Sequence, residues 1–474
     1  MGVLSELEPK GVFRYFEEIS SIARGSYHEK EISDYLVAFA KAHHLEYWQD
    51  DIYNVVMKVP ASQGREKDAP IILQGHMDMV CEHTKDADID MDKEGLRLAI
   101  DGDYVYARET TLGGDDGIAV AYMLAIADDN SISHPELEYI ITVSEEVGMD
   151  GASQIDLSML RGNQMLNLDS EEEGIFLCSC AGGMSAISQI PMEREASGNL
   201  TWIRICVDGL LGGHSGCEID KERGNASILL GRVLYEIRED IDFSMADIYG
   251  GKKDNAIPVM AEALIGVAED DVEKVVTVCE TMDRVLKAEY AASDEGVRVS
   301  AIRLETGSKD VLIQEDRDKL LSLLMTLPNG VMAMSMSVSG LVETSLNLGI
   351  MKLEKAHFHL QQAIRSSVTS RKYYIADRVR ALVTSFGGSM EIHGEYPAWE
   401  YKEESVVRPK VMELYRKMFQ KEPVMEGIHA GLECGLLQER LRIWIVFLWD
   451  RIFWIFIQLQ RDCPFHPQRE CMIF

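Results

Sequence analysis

Apolar residues recur along this chain at two periods, and the switches between them mark its elements. Val12, Tyr15, Phe16 and Ile19 repeat at helical spacing within EPKGVFRYFEEISSI, which predicts a first amphipathic helix. Ser26 and Glu29 have capping-box spacing ahead of a second helix, EISDYLVAFAKAHHL. YNVVMKV is strand-like, and IILQG at 71–75 is apolar enough for a strand buried on both faces. The glycine-rich turn in TTLGGDDGIAVAYMLAIADD, from 110 on, opens a helix. LEYIITV at 137–143 and NQMLNLD at 163–169 read as two further buried strands. Strands alternating with helices predict an α/β fold with a mostly parallel mixed sheet flanked by helices.

From about 188 the texture changes. NLTWIRICVDGL and MAEALIGVAE are strand-like, whereas GNASILLGRVLYEI, VEKVVTVCETMDRVLKAEY and RDKLLSLLMTL have helical periodicity. VETSLNLGIMKL and HFHLQQAIRSS read as paired strands, with a helix after them at YYIADRVRALVTSF. This pattern predicts an inserted α+β domain over 188–396. Residues 1–187 and 397–440 then form the two parts of the first domain, and 441–474 stand apart as a tail.

In a parallel α/β sheet the working groups lie just beyond the carboxyl ends of the strands. His76, Glu145, Glu146 and Asp169 all fall there. His76 and Asp78, two apart at a strand end, project to the same side. A metal-binding imidazole commonly donates its other ring nitrogen to a carboxylate, which is the place for Asp78. Asp115, in GGDDG, sits where one carboxylate can bridge two cations. A histidine with carboxylates and without thiolates suits zinc, manganese or cobalt in a hydrolytic site. Two metals about 3.5–4 Å apart polarise a carbonyl and acidify water. Such a site also needs a proton shuttle that is not a ligand, and the adjacent Glu145 and Glu146 can supply a base and a ligand. Taken alone, an EE pair at a strand end is a solvated loop and DD in a glycine turn is a turn. The set, in order and at successive strand ends, carries the specificity.

Composition narrows the partners. The 474 residues exceed one compact core, which predicts two domains. Forty-seven Lys and Arg against 79 Asp and Glu give a formal charge of −32, which argues against a nucleic-acid backbone or an anionic membrane as partner. Nine scattered cysteines read as reduced thiols, and MGVLSELEPKGVF lacks the pattern of a signal peptide; both suit the cytoplasm.

HMDMV, TTLGGDDGIA, TVSEEVGMDGA, NLDSEEEG, GLLGGHSG, NAIP, VETSLN, IRS and HAGLECGL follow one another over about residues 1–440. In these motifs the chain resembles the aminoacyl-histidine (Xaa-His, or cytosol non-specific) dipeptidases, carnosinase-related di-zinc metallopeptidases. The resemblance implies two Zn2+ per subunit, with Co2+ or Mn2+ as substitutes. It implies that His76 and Asp169 hold one metal, Glu146 the other, and Asp115 bridges. Glu145 is then the general base and acid in the attack of metal-activated water on Xaa-His and other dipeptides, and Asp78 orients His76. The inserted domain is then the family's lid and dimerisation domain. His214 would stabilise the oxyanion, and Asn255 and Arg365 would hold the dipeptide. The nearest alternatives are an N-acyl-amino-acid deacylase, a tripeptidase, or a non-catalytic dimeric homologue.

The resemblance stops near the C-terminus. The second metal of such enzymes takes a histidine from a motif of the type GPxxxxxH[ST], and this sequence has none. Residues 436–474 contain no Gly or Ala, and Trp444, Trp449 and Trp454 fall within eleven residues. The apolar runs, broken by Asp450-Arg451, are far shorter than the roughly 20 residues a membrane span needs. Codons begun on the third base resolve the pattern. Trp449-Asp450 then gives Gly, Asp450-Arg451 permits Pro, Trp454-Ile455 gives Asp, and Phe456-Ile457 gives only His or Tyr. The hidden frame thus permits GPxxxDxH[ST], which predicts a single-base shift near Glu439–Arg442 and an incomplete second metal position. His466 would replace the missing ligand only by accident.

Overall fold

The computed structural model describes residues 2–170, 172–441, 444–447 and 472–473. The chain divides into two compact units: Met1–Ser179 with Tyr401–Gly427 and Leu432–Phe474, and Cys180–Glu400 with Ile428–Gly431. The sequence reading set the insertion at 188–396. The observed junctions lie outside those bounds because the strand Gly182–Pro191 pairs with His357–Ser366 and Ser389–Tyr396 and so belongs to the second unit's sheet. Trp449, Trp454 and His466 lie outside the described residues.

The first unit is built on a six-stranded sheet. Its strands are β1 (Glu46–Gln49), β2 (Val55–Val59), β3 (Ile71–His76), β4 (Leu137–Thr142), β5 (Gln164–Asn167) and β6 (Trp444–Phe447), in the spatial order β1-β2-β4-β3-β5-β6. β1, β2 and β4 pair antiparallel, while β4, β3, β5 and β6 run parallel. The sheet is therefore mixed, with a parallel half. All six residues of β4 are buried, as a central strand covered on both faces requires. Truncating one of them, such as Ile140, to alanine would cost roughly 2–5 kcal/mol. Of the tail, Trp444–Phe447 add to β5 in parallel register.

Helix α1 (Lys10–Ser20) buries Val12, Phe13, Tyr15, Phe16 and Ile19, the face read from its periodicity. Helix α2 (Lys30–Ala42) packs Ile32, Leu36 and Phe39 into the same core. Helix α3 (Gly114–Asp128) is buried on every side from Ile118 to Ile126, as a helix apolar all round must be. A side chain at Gly75 would collide with Asp116 and Ala119, so glycine there lets α3 begin directly against β3. The capping box at Ser26 and Glu29 does not form: the start of α2 has no side-chain cap. Both side chains are used elsewhere, as described below.

The second unit is α+β. Nine strands form one antiparallel sheet. Helices Ala226–Asp240, Val272–Glu289, Gln314–Thr326 and Thr369–Ser385 share a single hydrophobic core with it.

Candidate metal centre

Parallel register brings the site together. His76 closes β3 beside Thr142 of β4, and Gln74 of β3 lies beside Asn167 of β5. The residues that follow each strand therefore emerge on one edge: Met77-Asp78, Ser144-Glu145-Glu146 and Leu168-Asp169. The turn that opens α3 adds Asp115 and Asp116.

His76 is the centre of the cluster. Its Nε2 lies 2.9 Å from Asp115 Oδ1 and 3.7 Å from Asp169 Oδ1. Its Nδ1 faces the other way, 3.1 Å from the Asp78 carbonyl and 3.4 Å from the Asp78 carboxylate. The acceptors around Nδ1 fix the proton there and leave the Nε2 lone pair for a cation. Among the described residues, two groups have ligand atoms within 4.8 Å of one another: His76 with Asp115 and Glu146, and His76 with Asp116 and Asp169. The sequence reading missed Asp116. Its buried carboxylate accepts the His76 backbone N–H at 3.2 Å, whereas the Asp115 side chain is 45% exposed and faces Nε2.

The electrostatics of the cluster favour a cation. Burial opposes a charge on His76, but Asp115, Asp169 and Asp78 together raise its pKa well above the imidazole range. Burial, then the charge of Asp169, pushes Glu145 up to about 8. Burial likewise pushes Asp169 up to about 8. Carboxylates crowded around one imidazole fit a divalent cation, which would discharge this repulsion. The donor set of oxygens and one ring nitrogen fits zinc, manganese or cobalt equally.

Three further residues hold this cluster in place. Arg24 is buried; its Nη1 donates to the carbonyls of Met77 (3.0 Å) and Asp78 (3.2 Å), and its Nη2 to that of Gly113. It thus ties the end of β3 to the turn before Asp115. Ser26 Oγ donates to Asp78 Oδ2 at 2.8 Å. Glu29 accepts both the N–H (2.9 Å) and the hydroxyl (2.8 Å) of Ser144, whose φ of +54° lies in the left-handed region. The helix-start signal of Ser26 and Glu29 concealed these uses, and Arg24 has no local signal at all.

His214, Asn255 and Arg365 all lie in the second unit. A short antiparallel ladder pairs His214 with Ala256, and Ser215 N–H donates to the Asn255 carbonyl at 2.8 Å. The Asn255 side chain is exposed. His214 Nδ1 accepts the N–H groups of Gly216 (3.3 Å) and Cys217 (3.2 Å), so the ring proton sits on Nε2. Burial, then the Arg365 charge, lowers the His214 pKa and keeps the ring neutral. Arg365 Nη1 donates to Tyr396 Oη at 2.7 Å.

Comparison with known proteins decides the family. Over 442 residues the chain is 38% identical to the cytosol non-specific dipeptidase of Escherichia coli (strain K12), covering 93% of this chain and 90% of that protein. The chain belongs to the cytosol non-specific dipeptidase family. Residues 207–294 match a peptidase dimerisation domain of the M20 peptidases. The crystal structure of aminoacylhistidine dipeptidase from Vibrio alginolyticus is similar at a TM-score of 0.88 and 32% identity, over 94% of this chain and 91% of that one. Aminopeptidase PepT from Bacillus cereus shares the fold at a TM-score of 0.51 and 14% identity, over 93% and 90% of the two chains. The resemblance carried by the HMDMV-to-HAGLECGL motifs, and the fold expected from it, are borne out.

Proposed function

We propose that this member of the dipeptidase family hydrolyses Xaa-His and other dipeptides at a zinc centre built on His76. The observation that carries the reading is the convergence of Asp115, Asp169 and Glu146 around His76, with Asp78 behind the other ring nitrogen. His76 and Asp169 would hold one Zn2+, Glu146 the second, and the open carboxylate of Asp115 both. Bound there, the metal supplies Lewis acidity to the peptide carbonyl and to the attacking water. Glu145 lies outside both ligand groups, which leaves it free to take the water's proton and return it to the leaving amine. His214, through Nε2–H, donates to the developing oxyanion. Arg365 pairs with the substrate carboxylate, and Asn255 donates to the bound dipeptide.

The dimerisation-domain match supports a homodimer formed through the inserted unit. The net charge of −32 supports a cytoplasmic protein without a nucleic-acid or membrane partner. Among the described residues no helix is long and apolar enough to cross a membrane. Two carboxylates, Asp115 and Glu146, are offered to the second metal, which predicts weak occupancy and low turnover.

The test is a substrate panel on the zinc-loaded chain. Cleavage of free Xaa-His dipeptides but not their N-acetylated forms supports the reading; equal cleavage of both points to a deacylase. Grafting a GPxxxxxH-type tail after residue 440 should raise turnover.

A further inference from the structure

Glu433 opens helix α4 (Glu433–Leu441) and is 1% exposed. It lies in the HAGLECGL motif, and the reading above gives it no role. Gln74 Nε2 donates to its Oε2 at 2.6 Å, and Thr142 Oγ lies 2.7 Å from the same oxygen. The Thr142 hydroxyl also lies 3.3 Å from the Gly75 carbonyl. A hydroxyl has one proton to give. Thr142 gives its proton to the nearer partner, so Glu433 Oε2 accepts from both Gln74 and Thr142. Burial, then the neighbouring Glu145 charge, pushes the Glu433 carboxyl up to about 8. The network continues sideways: Asn167 Nδ2 donates to Gln74 Oε1, and Asn167 Oδ1 accepts the Asp169 N–H at 3.2 Å.

The members of this network sit just before the groups of the site. Gln74 is two residues before His76, Thr142 three before Glu145, and Asn167 two before Asp169. We propose that Glu433 is a positioning residue, a buried strut between Gln74 and Thr142 that sets where His76 and Glu145 leave the sheet. This rests on the metal-centre reading above. Oε2 carries both contacts, while the buried Oε1 has no hydrogen-bond partner among the described residues; a buried network of this kind fixes geometry as well as stability, and losing a partner behind metal ligands costs about 10–100-fold in metal affinity.

The experiment titrates Co2+ into the metal-free full chain, following its visible absorption, with thermal unfolding of each variant alongside. Glu433→Gln can place its amide oxygen where Oε2 stands and still accept from both Gln74 and Thr142; it should bind Co2+ within about 3-fold of the unsubstituted chain, with the same band positions. Glu433→Ala should bind about 10–100-fold more weakly, with shifted bands. Thr142→Val, which removes the strut's other end at nearly constant volume, should shift the bands in the same way and serves if Glu433→Ala does not fold. Wild-type affinity and bands in Thr142→Val or in a folded Glu433→Ala would overturn the proposal, whatever their melting temperatures. So would a Glu433→Gln variant as impaired as Glu433→Ala. A chain that binds no Co2+ before any substitution would instead overturn the metal-centre reading, and this inference with it.

Discussion

The Asp78 carboxylate accepts the backbone N–H of Glu145 at 3.1 Å, so the strand that carries the histidine also fixes the loop that carries the glutamates. The same carboxylate receives Ser26 Oγ at 2.8 Å and the Glu146 N–H at 3.4 Å, and stands 3.4 Å from His76 Nδ1. Burial raises its pKa, but His76, Ser26 and the Glu145 N–H outweigh burial and lower it, keeping it ionised. Asp78→Ala should therefore weaken zinc binding by about 10–100-fold and reduce kcat/KM at least as much. Chelator competition and dipeptide hydrolysis measure the two losses.

Glu145→Gln should separate chemistry from binding. Hydrolysis should fall by about 10²–10⁴-fold, the usual contribution of a general base. Zinc content should stay close to that of the unsubstituted chain, because Glu145 lies outside both ligand groups. Parallel metal analysis and steady-state kinetics check this; a loss of zinc that matches the loss of rate would make Glu145 a ligand instead.

Glu29 acts at a distance on the same loop. Its carboxylate holds Ser144 in the left-handed region, one residue before Glu145. Glu29→Ala leaves a buried N–H and a hydroxyl without that partner, at a cost of about 1–3 kcal/mol. Denaturant unfolding should register this loss. The turnover of the folded variant, measured well below its melting temperature, should also fall, because Glu145 is no longer aimed.

Acid sensitivity should come partly from His429. This buried ring faces Ser345 Oγ at 2.7 Å. Burial, then the Arg365 charge, lowers its pKa to about 3, below the roughly 6.5 of an unfolded histidine. As pH falls, the unfolded chain takes up this proton first. The stability from the neutral ring is complete above about 6.5 and drains between there and about 3, by up to about 5 kcal/mol. His429→Gln should flatten that part of the stability–pH curve, measured by denaturant midpoints from pH 7 to 4.

The positions legible in the sequence were those that follow from local order. His76, Glu145, Glu146 and Asp169 each sit at or just past a buried strand, and parallel register alone brings such ends together. Asp115 was legible from its glycine-flanked turn. Ser26 and Glu29 were misread because their spacing matches a local cap, whereas their partners, Asp78 and Ser144, lie 52 and 115 residues away. Arg24 gave no signal, and Glu433 only its place in HAGLECGL, for the same reason: their partners are joined to them only by the folded sheet. The inserted unit was legible as a change of texture, but its first strand, Gly182–Pro191, was not, because its partners come some 170 residues later.

The zinc content of the dialysed full chain, measured beside its His76→Ala variant, bears on the metal centre itself. About one tightly held zinc ion per chain is expected rather than two, since Asp115 and Glu146 alone are a poor set for a second. Close to none is expected in His76→Ala. Two tightly held ions with fast dipeptide turnover would contradict the incomplete second position. Zinc retained by His76→Ala at the level of the unsubstituted chain would contradict the centre itself.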